Sequence, residues 1–311
     1  MEFQRFGAPT TGCQLSGIHI SGQVLALGYM YELSTRKQIL GSCRGLVLFY
    51  YHVGQFIDLI LGNPSTGIYK RLPNLEIPNS ILEYITSRFL YGFGYDASTE
   101  DYLLILVPSP LYIYPYVEPR KIHVFSFKTH SWNLYDTNVL YEDWGIRFRR
   151  GSLFNGALHW LVYDHKCHLF ILAFDLTQRT LSEIPLFHHH FDVNPVLSFS
   201  VLGECLCLCL SDRYRYYGMN QIWVMKEYKV QSSWTKLIDI PIIYPLCITE
   251  DGGIFGISEI SPGSLRLAKF NDKGQLVDSF VYYGDQALHF LNFTSGLYKE
   301  SLLSLPTVIG E

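Results

Sequence analysis

The chain has 311 residues, of which 48% are hydrophobic, 15% aromatic and only 17% charged, a balance that excludes a disordered chain and is enough for one large packed domain. The formal charge of -4 leaves no basic footprint, so neither nucleic acid nor a membrane surface is an expected partner. The N-terminal MEFQRFGAPTTGCQLSG holds no signal-length apolar run and nowhere do 18 apolar residues run together, so a cytoplasmic or nuclear protein is expected, and its seven cysteines suit reduced thiols better than a disulfide framework.

In chain order, the first strand signals are residues 14–20 (QLSGIHI) and 23–29 (QVLALGY), a hairpin pattern around Ser21-Gly22. Beyond it the chain repeats itself. A hydrophobic strand after a small or polar turn begins at Gly45 (GLVLFYY), Glu100 (EDYLLILV), Gly156 (GALHWLV), Glu204 (ECLCLCL), Gly252 (GGIFGIS) and Gly296 (GLYKESLLSL), at offsets of 55, 56, 48, 48 and 44 residues. After each of the first five come another strand, a turn and a further strand headed by Tyr69, Trp132, Leu181, Trp234 or Leu276. One more β-like segment precedes the unit, as at 89–95, 196–202 and 245–249.

Four antiparallel strands every 40 to 55 residues or so are the pattern of a β-propeller blade, and no 3.6-residue periodicity competes with it. The expected fold is all-β, a six-bladed β-propeller. Its last blade takes two strands from 287–293 and 297–305 and is closed by the N-terminal hairpin, which covers edges that would otherwise invite aggregation. The layout that follows is a segment 1–40 with ring-closing strands, a propeller over 41–305 and a tail over 306–311.

This grammar sorts the loops onto two faces. Short turns such as Asn63–Gly67, Lys128–Ser131 and Thr177–Thr180 share one face. The long aromatic loops share the other: Tyr50-Tyr51-His52, Pro108–Arg120, Tyr163–His168 and Arg213–Tyr217, with the connectors Tyr135–Arg150 and Phe187–Asn194. Tyrosine, tryptophan and arginine supply large contact area at binding hot spots. The expected partner-binding residues are therefore Tyr112, Tyr114, Tyr116, Trp144, Arg147, His165, Arg213, Tyr214, Arg215, Tyr216 and Tyr217. The opposing reading is that these loops pack on one another or are simply solvated.

Other constellations read as structural. Cys205, Cys207 and Cys209 alternate along one strand nearly 7 Å apart, too far to share one ion. His188-His189-His190 point in different directions along a connector and lack a Cys or acidic partner. His159-Trp160 suits a core pair. P-loop, HExxH, GxSxG and GxGxxG patterns are absent, so the chain is expected to be no enzyme and to need no cofactor or metal.

The ordered set LGSCRGLVLF (40–49), LGNPSTGIYKRLP (61–73), YGFGYDASTEDYLLILV (91–107), VFSFKTHSWNLY (124–135), FNGALHWLV (154–162), ILAFDLTQRTLSEIPL (171–186), LGECLCLCLSD (202–212), IWVMKEYKVQSSWTKL (222–237) and YKESLLSL (298–305) resembles the F-box associated domain of plant F-box and kelch-type proteins. The resemblance implies a kelch-like propeller that recognises a protein substrate for a cullin-based SCF-type ubiquitin ligase. In that family a Leu-rich helical F-box of about 45 residues precedes the domain and docks on a Skp-type adaptor. Residues 1–40 show no such helices, so a recognition module without its own F-box is expected, with an adaptor only if an F-box is supplied elsewhere. A truncated or vestigial paralogue, a decoy, and a propeller enzyme are the alternatives.

Overall fold

The computed structural model describes residues 3–7, 14–20, 23–28, 35–53, 56–72, 89–108, 121–137, 139, 141, 149–187, 196–211, 219–242, 244–249, 251–261, 264–283 and 294–299. The architecture is an all-β propeller of four-stranded antiparallel sheets. Five blades are contiguous meanders: β4 (Thr35–Cys43) to β7 (Ile68–Arg71), β8 (Phe89–Asp96) to β11 (Ser131–Asp136), β12 (Ser152–Phe154) to β15 (Leu181–Pro185), β16 (Val196–Leu202) to β19 (Trp234–Ile240) and β20 (Tyr244–Ile248) to β23 (Leu276–Tyr283). Within these meanders the intermediate strands are β5 (Leu46–Val53), β6 (Phe56–Asn63), β9 (Asp101–Pro108), β10 (Lys121–Ser126), β13 (Ala157–Tyr163), β14 (Leu169–Asp175), β17 (Cys205–Ser211), β18 (Asn220–Met225), β21 (Ile254–Ser261) and β22 (Ser264–Phe270).

Five such blades, not six, correct the sequence count. What takes the place of the sixth is a sheet assembled from both ends of the chain in the order β1 (Phe3–Gly7), β2 (Gln14–Ile20), β3 (Gln23–Gly28) and β24 (Thr294–Lys299). The expected two-plus-two sharing is three-plus-one. A short strand, β1, pairs with β2 from Phe3↔Ile18 to Gly7↔Gln14, and β24 pairs with β3 from Thr294↔Gly28 to Lys299↔Gln23. The expected strand at 287–293 and the end of that at 297–305 lie outside the described residues.

The chain divides into two compact units, residues 1–168, 172–182 and 294–311 in the first and residues 169–171 and 183–293 in the second. In the first, Leu40, Leu46, Leu48, Leu59 and Leu61 pack with Phe89, Phe93, Leu104 and Phe125 in one buried cluster. Alternation explains it, since every second residue of a strand faces the same side of its sheet. The Asn155-Gly156 turn that joins β12 to β13 has φ of 48° and 74°. Two left-handed residues in succession match the twist of the flanking strands, which is why the Asn-Gly pair sits there. His159 and Trp160 are fully buried; the indole Nε1 of Trp160 donates to the Tyr91 carbonyl at 3.1 Å, so the polar tip of a core residue is satisfied.

In the second unit the alternation of β17 places Cys207 and Cys209 in a cluster with Ile222, Ile254, Ala268 and Phe270. Burial pushes the Cys209 thiol up to about 12 and the Cys207 thiol well above its ordinary value, so both stay protonated and act as small apolar residues.

Candidate functional site

Of the expected partner-binding residues, one falls among the described residues. His165 is exposed in the loop joining β13 to β14. Tyr112, Tyr114, Tyr116, Trp144, Arg147, Arg213, Tyr214, Arg215, Tyr216 and Tyr217 lie outside them, as does the His188–His190 run. The loop around His165 is tied by one carboxylate: Asp164 Oδ1 accepts from the N–H of Lys166 at 2.7 Å and of His168 at 2.8 Å, and Oδ2 lies 3.1 Å from His168 Nδ1. Those donors, the His168 amide first, hold the Asp164 carboxyl below its ordinary range. The result is a stiff turn that presents His165, Lys166 and Cys167 outward.

Tyr50-Tyr51-His52, expected in a loop, belongs to β5. The strand continues because β6 is long enough to pair it, with Tyr50↔Leu59 and His52↔Ile57, and Tyr50 is a core residue, 2% exposed.

The described residues also hold a cleft that sequence reasoning assigned only to short turns. It measures about 630 Å³ and lies in the first unit, against the sheet β8–β11 and the turn after β14. Leu103, Val124 and Ser126 form its buried floor, Ser98, Thr99, Glu100, Lys128 and Thr129 its rim, and Asn133, Tyr135 and Arg179 its sides. Alternation again decides who lines it: Asn133 and Tyr135 of β11 face the cleft, while Trp132 packs against the core cluster.

Two buried carboxylates build the rim. Asp96 ends β8 and accepts from Ser98 N and Oγ, from Thr99 Oγ1, from Thr177 Oγ1 at 3.1 Å and from Arg179 Nη2 at 2.8 Å. Burial alone would raise its pKa, but the Ser98, Thr99 and Arg179 donors outweigh that and hold the carboxyl far below its ordinary range. Asp101 begins β9 and accepts from the Ser126 hydroxyl and from Lys128 N at 2.8 Å. Lys128 Nζ in turn donates to the Thr99 carbonyl at 2.8 Å. The rim is thereby fixed before any ligand arrives, a requirement for a binding site on turns.

Among the described residues no group of three His, Cys, Asp or Glu could hold a metal ion, and no helix is long and apolar enough to cross a membrane.

The family model described as F-box associated beta propeller domain matches residues 17–275. The Arabidopsis thaliana F-box/kelch-repeat protein At3g23880 is 28% identical over 273 residues, which cover 83% of this chain and 68% of the relative. The Arabidopsis thaliana F-box protein At4g22390 is 28% identical over 199 residues, 60% of this chain and 48% of the relative. The chain thus spans about two thirds of one relative and about half of the other. The crystal structure of TolB from Acinetobacter baumannii superposes with a TM-score of 0.47 at 10% identity, covering 95% of this chain and 65% of TolB. With a family match that covers well over half of the chain and reaches from β2 to the end of β22, the chain belongs to the F-box associated beta propeller domain family.

Proposed function

We propose that this propeller is a protein-binding module that recognises substrates for an SCF-type ubiquitin ligase, and that it binds rather than catalyses. The observation that carries the reading is the family match over residues 17–275, supported by relatives that are themselves named F-box proteins. Strands β1, β2 and β3 near the N-terminus belong to a sheet, so docking on a Skp-type adaptor requires an F-box supplied elsewhere. We assign a protein substrate to Tyr112, Tyr114, Tyr116, Trp144, Arg147, His165 and Arg213 to Tyr217, the residues that the strand pattern of the sequence expects on one loop face.

The reading is tested in two steps. Proteins captured by the intact chain are compared with those captured by a form with Tyr112, Tyr114 and Tyr116 changed to Ala and Arg213 and Arg215 changed to Ala. Loss of a specific partner in the second form is expected; a partner that survives every change puts the binding site elsewhere. In the second step a purified Skp-type adaptor is mixed with residues 1–311 and with the same chain fused behind an F-box. Co-elution of adaptor with the fusion alone is expected, and stoichiometric adaptor on residues 1–311 overturns this part of the reading. A chain that binds partner but never supports ubiquitin transfer in the fusion is a decoy.

A further inference from the structure

Among the described residues, the strands that close the five contiguous blades are pairing edges, since each is the last in its sheet. A free edge offers a row of backbone donors and acceptors to any other extended chain, and proteins blunt it with charges or proline. Four of the five do so within the strand: β7 carries Lys70, β15 carries Glu183, β19 carries Lys236 and β23 carries Asp278. The exception is β11, Ser-Trp-Asn-Leu-Tyr-Asp, whose single charge comes at its last residue and leaves the middle of the edge without one. Its Leu134 is 57% exposed, and it borders the cleft, into which its Asn133 and Tyr135 face.

The charges around that cleft decide what would fit it. The Lys128 ammonium is held by the Thr99 carbonyl and the Arg179 guanidinium by Asp96. Glu100 lines the cleft, is exposed and has no hydrogen-bond or ion-pair partner among the described residues. With Arg179 matched by Asp96, the cleft keeps the carboxylates of Glu100 and Asp101 against the one ammonium of Lys128, so the charge left for a ligand is negative.

We propose that the free edge of β11 and the adjoining cleft capture an extended segment of a partner protein that carries a lysine or arginine. The segment adds to the sheet as a fifth strand, through backbone hydrogen bonds along β11. Its alternate side chains enter the cleft beside Asn133 and Tyr135, where the basic one reaches Glu100; those between them lie on the Leu134 side. None of the residues named here is among those proposed above to hold the substrate, and the inference goes beyond that function.

The experiment selects a displayed library of random ten-residue peptides on the intact chain. Enriched peptides are expected to carry Lys or Arg and to slow amide hydrogen exchange over residues 131–136. Their affinity is expected to fall at least tenfold in Glu100→Lys and in Leu134→Lys, the second of which installs the guard that β7 and β19 already have. Both positions are exposed, so the fold survives, and the unchanged exchange of the remaining sheets verifies it. Leu237→Lys on β19 is the control and should bind as the parent does. The proposal is overturned if no peptide is enriched, if bound peptides leave the exchange of 131–136 unchanged, or if they bind Glu100→Lys as tightly. Peptides that instead lose binding in the Tyr112, Tyr114 and Tyr116 to Ala form belong to the loop face: they count against this site and leave the recognition role standing.

Discussion

Two turns of one design sit in different sheets, and the difference that matters is the residue that closes them, Gly67 in one and Arg179 in the other. In each, the residue four places after an Asn or Asp donates its N–H back to that residue's carbonyl: Gly67 to Asn63 and Arg179 to Asp175, both at 3.0 Å. In each, the leading side chain accepts from the turn's own amides, Asn63 Oδ1 from Ser65 at 2.9 Å and Asp175 Oδ1 from Thr177 and Gln178 at 2.8 Å. In each, the donor is left-handed, with φ of 69° at Gly67 and 59° at Arg179. Glycine is at ease there and reaches nothing, since a Cβ at Gly67 would have no neighbour within 4 Å. Arginine carries a strain of about 1 kcal/mol and places a guanidinium on Asp96, whose side chain has no exposed surface. The same backbone therefore serves in one sheet as a plain turn and in the other as a clasp on the rim of the cleft.

Arg179→Gly breaks the comparison most directly, because it turns the clasp back into the plain turn. Removing one partner of a buried ion pair costs about 3–5 kcal/mol, but Asp96 keeps the Ser98, Thr99 and Thr177 donors and the strain is relieved. The expected net loss is about 2 kcal/mol, read as a lower urea midpoint; a variant as stable as the parent means that the clasp does no more than cancel its strain.

Acid separates the two forms further. Asp96 has a folded pKa below the unfolded value of about 3.9, so the unfolded chain binds the proton more readily. Its contribution is complete above roughly pH 4 and is lost as the pH falls below that toward the folded value. Urea midpoints between about pH 5 and pH 2.5 should fall more steeply in the parent than in Arg179→Gly, so the gap between them narrows; parallel curves exclude Arg179 as a cause of the depressed pKa.

The strands were legible where apolar alternation met a turn residue. β16 spans Val196–Leu202, the span expected for it, and the expected segment 89–95 is β8 but for Asp96. The closing sheet was half legible. QLSGIHI and QVLALG announce a hairpin, but β1 is five residues, FQRFG, too short to show a period, and its partner is known only from pairing. β5 ran on through Tyr50-Tyr51-His52 because a partner strand of equal length, not its own residues, decides where it ends. The cleft was not legible: Asp96 and Arg179 are 83 residues apart, and no spacing rule links two turns of different sheets. Nor does a sequence announce that an arginine will be left-handed. The residue type that favours that conformation is glycine, and Arg179 holds it because the turn and the buried carboxylate together outweigh the strain.

Smaller changes sharpen the comparison from its other side. Gly67→Ala adds a Cβ that meets no atom, so its whole effect is the left-handed strain, a loss of about 1 kcal/mol. Because no ion pair is involved, that loss should be the same at pH 5 as at pH 3. His130 is the third case, φ 53°, four residues after Ser126, whose Oγ accepts from Thr129 N at 3.0 Å. Here the side chain neither reaches nothing nor makes a clasp. Its ring stands edge-on to Phe125 at 5.3 Å, and its Nδ1 is buried without a hydrogen-bond partner. Glycine would relieve about 1 kcal/mol of strain and remove the unsatisfied nitrogen, against the loss of about 1 kcal/mol of ring contact and a looser unfolded chain. His130→Gly is therefore expected to stay within about 0.5 kcal/mol of the parent, the least change of the three. A loss as large as that of Arg179→Gly would mean that what distinguishes these turns is ring packing against the sheet, and that the buried carboxylate is incidental to which of them can tolerate a side chain.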